Sequence, residues 1–211
     1  TLQEADLEAL AMLGPDLILL PESYYAYTPE SFDEIATFVP LVVLPDTPVY
    51  QDGFRFLASV FGREALADEK IADLERVISS AAEDLALEGQ TASFASIYEG
   101  GGNLALWLTD QVPTVEIAMA LGLTVEPAAE DYDTDDNGRA WLSTEEAGVL
   151  TGETVFMLQT SAEISPGEAE SFDEEMEQPI WQTLPAVKND RLVVIERIGY
   201  PGAITGRRSL V

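Results

Sequence analysis

Two short apolar runs, Leu17-Ile18-Leu19-Leu20 and Leu41-Val42-Val43-Leu44, constrain the fold of this chain more than any other feature. Each is bounded by turn residues, Gly14-Pro15 and Pro21 around the first, Pro40 and Pro45 around the second. A run that is apolar at every position, rather than every second one, reads as a strand buried on both faces, as in a parallel sheet covered by helices. A helix precedes each run. Asp6–Leu13 has Asp6 as cap and Leu7, Leu10 and Leu13 at helical spacing; Ser31–Phe38 is the second. Helix, strand, helix, strand predicts an α/β layer.

The middle of the chain has a different rhythm. Gln51–Phe61 and Glu64–Leu87 read as two helices separated by Gly62. In the second, Leu66, Ile71, Leu74, Ile78 and Leu85 form an incomplete apolar stripe. A helix of about 24 residues is roughly 36 Å long, the span needed to bridge two lobes. A second α/β layer begins at Thr91. Its predicted strands are Ala92–Tyr98, Leu104–Leu108, Thr154–Leu158 and Leu192–Glu196. Its predicted helices are Thr114–Leu121, Thr144–Leu150 and a segment near Ala169–Glu177. Gly100-Gly101-Gly102 reads as a turn and lacks the Lys-Ser/Thr of a phosphate loop. The segment from Asp6 to Leu20 is echoed by Ser143 to Met157: a cap, a Glu two positions on, a short helix, an acidic turn and an apolar strand. Two similar lobes on either side of a long helix would produce such a repeat. Two unrelated helix–strand units would also fit it.

Charge and composition exclude several functions. Thirty-nine acidic residues against ten basic ones give a net charge of −29, which repels nucleic acid and anionic lipid. The chain has no cysteine and no histidine. Thiol catalysis, zinc held by Cys or His, iron–sulfur clusters and His-based triads are therefore excluded. No apolar run reaches the ~20 residues of a membrane-spanning helix.

Three motifs resemble one family. Asp6-Leu-Glu-Ala-Leu-Ala-Met-Leu-Gly-Pro-Asp-Leu-Ile-Leu19 is similar to the "NLE…PDLI" signature of the iron-siderophore and cobalamin class of periplasmic binding proteins. Pro179-Ile-Trp-Gln-Thr-Leu-Pro-Ala-Val-Lys-Asn-Asp-Arg-Leu-Val-Val-Ile195 resembles that family's "P-x-W-x-x-LPAVK-x-x-R-V-x-x-V" stretch. Trp141-Leu-Ser-Thr-Glu-Glu146 resembles its "x-x-S-x-E" helix start. The resemblance implies two Rossmann-like α/β lobes joined by a single long rigid helix, with ligand in the cleft between them. It divides the chain into a partial N-terminal lobe (1–50), a helical connection (51–89), a C-terminal lobe (90–200) and the start of a final helix returning to the first lobe (201–211). The family's N-lobe has a further strand–helix–strand portion ahead of the first motif, so the resemblance also implies an N-terminally truncated first lobe.

The same resemblance implies a binding protein rather than an enzyme: the extracytoplasmic component of an ABC importer, a monomer, held to a membrane only through a lipid anchor outside this chain. It would hand a ferric siderophore to the permease and carry no cofactor. Haem, with a tyrosine from the Tyr24–Tyr27 cluster as axial ligand, and cobalamin are the alternative ligands. The alternatives outside the family are a carboxylate-based hydrolase and a calcium-binding surface protein.

Candidate ligand residues lie at strand C-terminal ends. In the first lobe these are Glu22, Tyr24 and Tyr25, on a predicted loop with three tyrosines in four positions; packing over the lobe edge would also explain them. In the second they are Tyr98, Trp107, Arg139 and Tyr200. Ser96, Ile97 and Tyr98 occupy the neighbourhood where the family often carries an arginine. With few cations nearby, a ferric hydroxamate fits this inventory better than a tri-catecholate. Glu8 and Glu145 hold the echoed positions, in the first turn of their helices, where a carboxylate suits the helix dipole. In relatives, matching glutamates meet permease arginines. Asp133, Asp135 and Asn137 begin a calcium-loop pattern, but its twelfth position is Thr144 instead of Glu. An acidic solvated turn is the competing reading of that loop.

Overall fold

The computed structural model describes residues 10, 12–26, 28–47, 49–98, 100, 102–135, 138–160, 162 and 165–197. The predicted sites Glu8, Asn137 and Tyr200, most of the first predicted helix and all of the last lie outside them. The chain divides into two units, Thr1–Ile71 and Ala72–Val211. The division falls inside the long helix.

In the first unit, β1 (Ile18–Pro21) pairs in parallel with β2 (Leu41–Leu44), Ile18 opposite Leu41 and Pro21 opposite Leu44. These are the two apolar runs. Both strands are only half-buried, with Leu19 exposed; their sequence anticipates more cover than the described residues of this unit supply. The segment after β1, predicted as a loop, is a one-turn helix α1 (Glu22–Tyr25). Pro21 sets the extended entry and Glu22 places a carboxylate in the first turn, where the helix dipole favours it. α2 (Pro29–Ile35) buries Ile35. α3 (Tyr50–Val60) buries Tyr50 and Ala58, and Arg55 Nε donates to Asp68 Oδ1 of the long helix α4 (Glu64–Leu85) at 2.8 Å. Both partners are exposed, so this pair adds little to stability.

The second unit is built on a six-stranded mixed sheet. Its strands are β3 (Thr91–Ile97), β4 (Asn103–Trp107), β5 (Thr124–Val125), β6 (Arg139–Ser143), β7 (Thr154–Thr160) and β8 (Leu192–Arg197). The order is β6-β4-β3-β7-β8, with β5 beside the start of β3. β3, β7 and β8 run parallel; β4 and β6 are antiparallel additions. β6 was not legible as a strand. It alternates inward Ala140 and Leu142 with Arg139 and Trp141 on the other face, and an Arg–Trp face does not register as a hydrophobic pattern.

The sheet is covered on both faces. One core contains Ala95, Ile97, Leu104, Leu106, Val155 and Met157, with Phe172 of α6 (Pro166–Met176), Trp181 and Leu184 packed on them. The other contains Phe94, Trp107 and Leu158, with Val115 and Ala118 of α5 (Pro113–Ala120). Phe94 stacks on Phe156 with ring centroids 5.0 Å apart. Strand alternation divides the residues: Ala95 and Ile97 face the first core, Phe94 and Tyr98 the second. α2, α5, α6 and the short α7 (Pro185–Lys188) all carry proline in the first helical positions, where its missing N–H costs nothing. The predicted helix at Thr144 is a 3₁₀ segment, Thr144–Val149.

Candidate functional site

On the second-core face, neighbouring strands bring four of the chain's large polar-tipped side chains together. Trp107 of β4 lies directly opposite Arg139 of β6 in the antiparallel register. Two residues on, Trp141 falls on the same face by strand periodicity. The Arg139 guanidinium carbon sits 5.3 Å from the centre of the Trp107 ring and 4.9 Å from that of Trp141. Both distances are within cation–π range. The Tyr98 ring, at the end of β3, is 5.3 Å from the Trp141 ring and tilted against it.

The two indoles differ in access. Trp107 is 3% exposed and its Nε1 donates to Ser96 Oγ at 2.8 Å; Ser96 Oγ in turn donates to the Leu158 carbonyl at 2.8 Å. Trp141 is 47% exposed. Trp107 is thus the floor of the arrangement, and Trp141 presents the surface that a ligand can reach.

Asp135 closes the cluster. Its carboxylate accepts from the Arg139 backbone N at 3.0 Å, from Arg139 Nε at 2.9 Å and from Trp141 Nε1 at 3.1 Å, and forms an ion pair with the Arg139 terminal nitrogen at 2.9 Å. A tight loop delivers it: Asp135 N donates to Arg139 O, and Gly138 N to Asp135 O. Gly138 has φ +71°, and a Cβ there would collide with Thr109 Oγ1, so the loop requires glycine twice over. Partial burial works against the Arg139 charge. The hydrogen bonds and charge of Asp135, joined by the Tyr98 hydroxyl, more than offset it, and its pKa is raised. The Tyr98 hydroxyl itself is buried without a hydrogen bond of good geometry.

The predicted residues therefore separate. Tyr98, Trp107 and Arg139 come together. Trp141 and Asp135 complete the group, and the sequence did not mark them for it; reading Arg139-Ala-Trp141 as alternating strand would have found Trp141. The Asp135 carboxylate, the second acid of the calcium-loop pattern, accepts from Arg139 and Trp141. Among the described residues no group of three or more acidic side chains is placed to hold a metal ion.

Glu22, Tyr24 and Tyr25 belong to the first unit. Glu22 and Asp46 clip the ends of β1 and β2: Ser23 N donates to Asp46 Oδ2 at 2.6 Å and Asp46 N to Glu22 Oε2 at 3.4 Å. The Tyr25 hydroxyl donates to Asp33 Oδ1 at 2.8 Å, and its ring stacks on Phe32. The Asp33 hydrogen bond, followed by desolvation, raises its pKa. Tyr24 is exposed.

Glu145 is exposed at the other end of β6 from Arg139. Ser143 caps the 3₁₀ segment that follows, accepting from Glu145 N at 3.3 Å, while Ser143 N donates to Glu146 Oε2 at 3.0 Å. Glu146 therefore makes the reciprocal capping bond, and Glu145 lines an open hollow of about 410 Å³ with Gly102, Glu175, Gln178 and Ile180.

A mixed α/β fold thus carries an aromatic and arginine face on its second core. The chain belongs to the periplasmic binding protein family, which it matches over residues 1–197. It is 26% identical over 199 residues to the ferric enterobactin-binding periplasmic protein FepB of Escherichia coli, covering 91% of this chain and 60% of that relative's length. Its fold is similar to FhuD2 of Staphylococcus aureus, solved with bound ferrioxamine B (TM-score 0.77, 18% identity, 98% of this chain and 77% of that one). It is also similar to the triscatecholate siderophore-binding protein FeuA of Bacillus subtilis, solved with ferri-bacillibactin (TM-score 0.75, 20% identity, 99% and 72%). Among the described residues no helix is long and apolar enough to cross a membrane.

Proposed function

We propose that this chain is the extracytoplasmic substrate-binding component of an ABC importer. It captures a ferric siderophore, with a hydroxamate preferred, on the face formed by Tyr98, Trp107, Arg139 and Trp141. The observation that carries this reading is the guanidinium lying over two indoles and already neutralised by Asp135. Three hydroxamates, each with one negative charge, balance ferric iron. Three catecholates, each with two, leave a charge of −3. An acidic chain whose site arginine has a carboxylate partner suits the first complex better than the second. The aromatic surfaces suit the apolar flanks of a large chelate. Both chelate classes occur among the relatives, so the preference rests on the charge of the site.

Titration of the protein with ferric hydroxamates, ferric catecholates, haem and cobalamin, followed by tryptophan fluorescence, tests it. The expected result is saturable quenching by a ferric hydroxamate, with Trp107 and Trp141 as reporters. Tighter binding of a ferric catecholate would overturn the preference. Silence towards all four would overturn the transport reading.

Delivery to the permease is proposed to use Glu145, with Glu8 as its counterpart. Support comes from the echoed positions and from the exposure of Glu145, which lines an open hollow together with Glu175 and so offers a carboxylate for a permease arginine. Glu145→Lys is expected to abolish permease-dependent uptake while leaving chelate affinity as it was. Unaltered uptake in cells carrying this variant would remove the assignment.

A further inference from the structure

We propose that Asp135 is the specificity-determining residue of this site: it holds Arg139 as one half of a neutral pair and thereby excludes chelates of high negative charge. The inference rests on the reading of this face as the chelate site.

The geometry separates the charge of Arg139 from its other properties. The guanidinium lies over both indole rings, so it cannot swing away from the sheet without losing both contacts. The contacts from Nε and from a terminal nitrogen go to the same oxygen, Asp135 Oδ2. The bond from the Arg139 backbone N goes to Oδ1, which fixes the orientation of the carboxylate. A guanidinium has five N–H groups, so this arrangement leaves donors for the neutral oxygens of a bound chelate. It leaves no net charge for an anionic chelate. The Trp141 Nε1 bond to Oδ2 makes the same carboxylate the anchor of the exposed aromatic surface. Asp135 therefore sets two properties at once, the position of Trp141 and the electrostatic balance of the face.

Asp135→Asn separates them. An amide oxygen in the place of Oδ2 can still accept from the Arg139 side chain and Trp141, the amide nitrogen in the place of Oδ1 gives up the bond from the Arg139 backbone N, and the negative charge is gone. Arg139 then faces the ligand as an uncompensated cation on a partly buried surface, where charge is weakly screened. The expected effect is a rise, on the order of tenfold, in the ratio of ferric triscatecholate to ferric trihydroxamate affinity. Catecholate binding should also weaken more steeply with salt than in the wild type.

The test compares wild type, Asp135→Asn and the double variant Asp135→Asn/Arg139→Gln. Each is titrated with a neutral ferric trihydroxamate and a ferric triscatecholate at low and high salt. A raised ratio in the single variant that returns to the wild-type value in the double variant supports the proposal. An unchanged ratio, with chelate still bound, overturns the role of Asp135 and leaves the binding reading standing. Binding of neither chelate by the wild type overturns both. A merely structural role for Asp135 would lower both affinities together and leave the ratio and the salt slope unmoved.

Discussion

Replacing Trp107 by alanine is expected to cost about 3–5 kcal/mol of stability and to remove the chelate response together with it. The indole is almost fully buried among Phe94, Val115 and Leu158. Its removal opens a cavity in the second core at the place where that core becomes the floor under Arg139. Trp107→Phe separates the two contributions. Phenylalanine keeps most of the apolar area but loses the indole N–H to Ser96 Oγ. Ser96 retains its bond to the Leu158 carbonyl, so about 1 kcal/mol is the expected loss there. Urea unfolding followed by circular dichroism measures both variants without depending on the tryptophan being changed. A loss below about 1 kcal/mol for the alanine variant would mean that Trp107 is not the packed floor described above.

Gly152→Ala is expected to destabilise the second unit by about 3 kcal/mol, the upper end of the range for overpacking. A Cβ at position 152 would lie 2.5 Å from the Ala92 carbonyl carbon and 2.8 Å from its Cα, and nearer still to Ser93 N. These are backbone atoms of β3, which has a partner on each side, so no rotamer change can relieve the clash. The approach also serves a bond: Gly152 N donates to Ser93 Oγ at 2.9 Å, and Ser93 Oγ donates to the Glu126 carbonyl at 2.6 Å. The loop before β7 and the residues after β5 are thus tied to the start of β3 through one hydroxyl. Gly148→Ala, where a Cβ meets nothing within 4 Å, is the control and should change stability by less than about 0.5 kcal/mol. Equal melting temperatures for the two variants would contradict the close approach.

The distribution of apolar residues made most of the fold legible. β2 lies where its run of four apolar residues predicted, and β1, β3, β7, β8 and the long helix differ from their expected limits by one or two residues. The family was legible for a related reason: its motifs combine turn residues, caps and apolar positions that the backbone demands locally. The elements that escaped were of two kinds. α1 follows directly from β1, and its four residues are too few for a period to show. β6 has one polar-tipped face, and it joins the mixed sheet as an edge strand antiparallel to β4.

The site divides along the same line. Tyr98 and Trp107 could be nominated because they end strands that the sequence reveals, and Arg139 because cations are scarce in so acidic a chain. What Arg139 does could not be read from its position. Asp135 stands four residues away in a run of acids, and nothing local distinguishes it from its neighbours as a counterion. Trp141 looked like the lead-in to a helix. The sequence by itself determined the alternation of helices and strands, the exclusion of cysteine and histidine chemistry, and the family. Only the tertiary structure decided that Arg139 lies over two indoles and is neutralised, because that depends on the register of β4 against β6, which places Trp107 opposite Arg139. Hydrophobic patterning specifies which face of a strand is buried; which residue it lies beside on the next strand follows from pairing across the sheet, and that pairing selects the charge balance of the site.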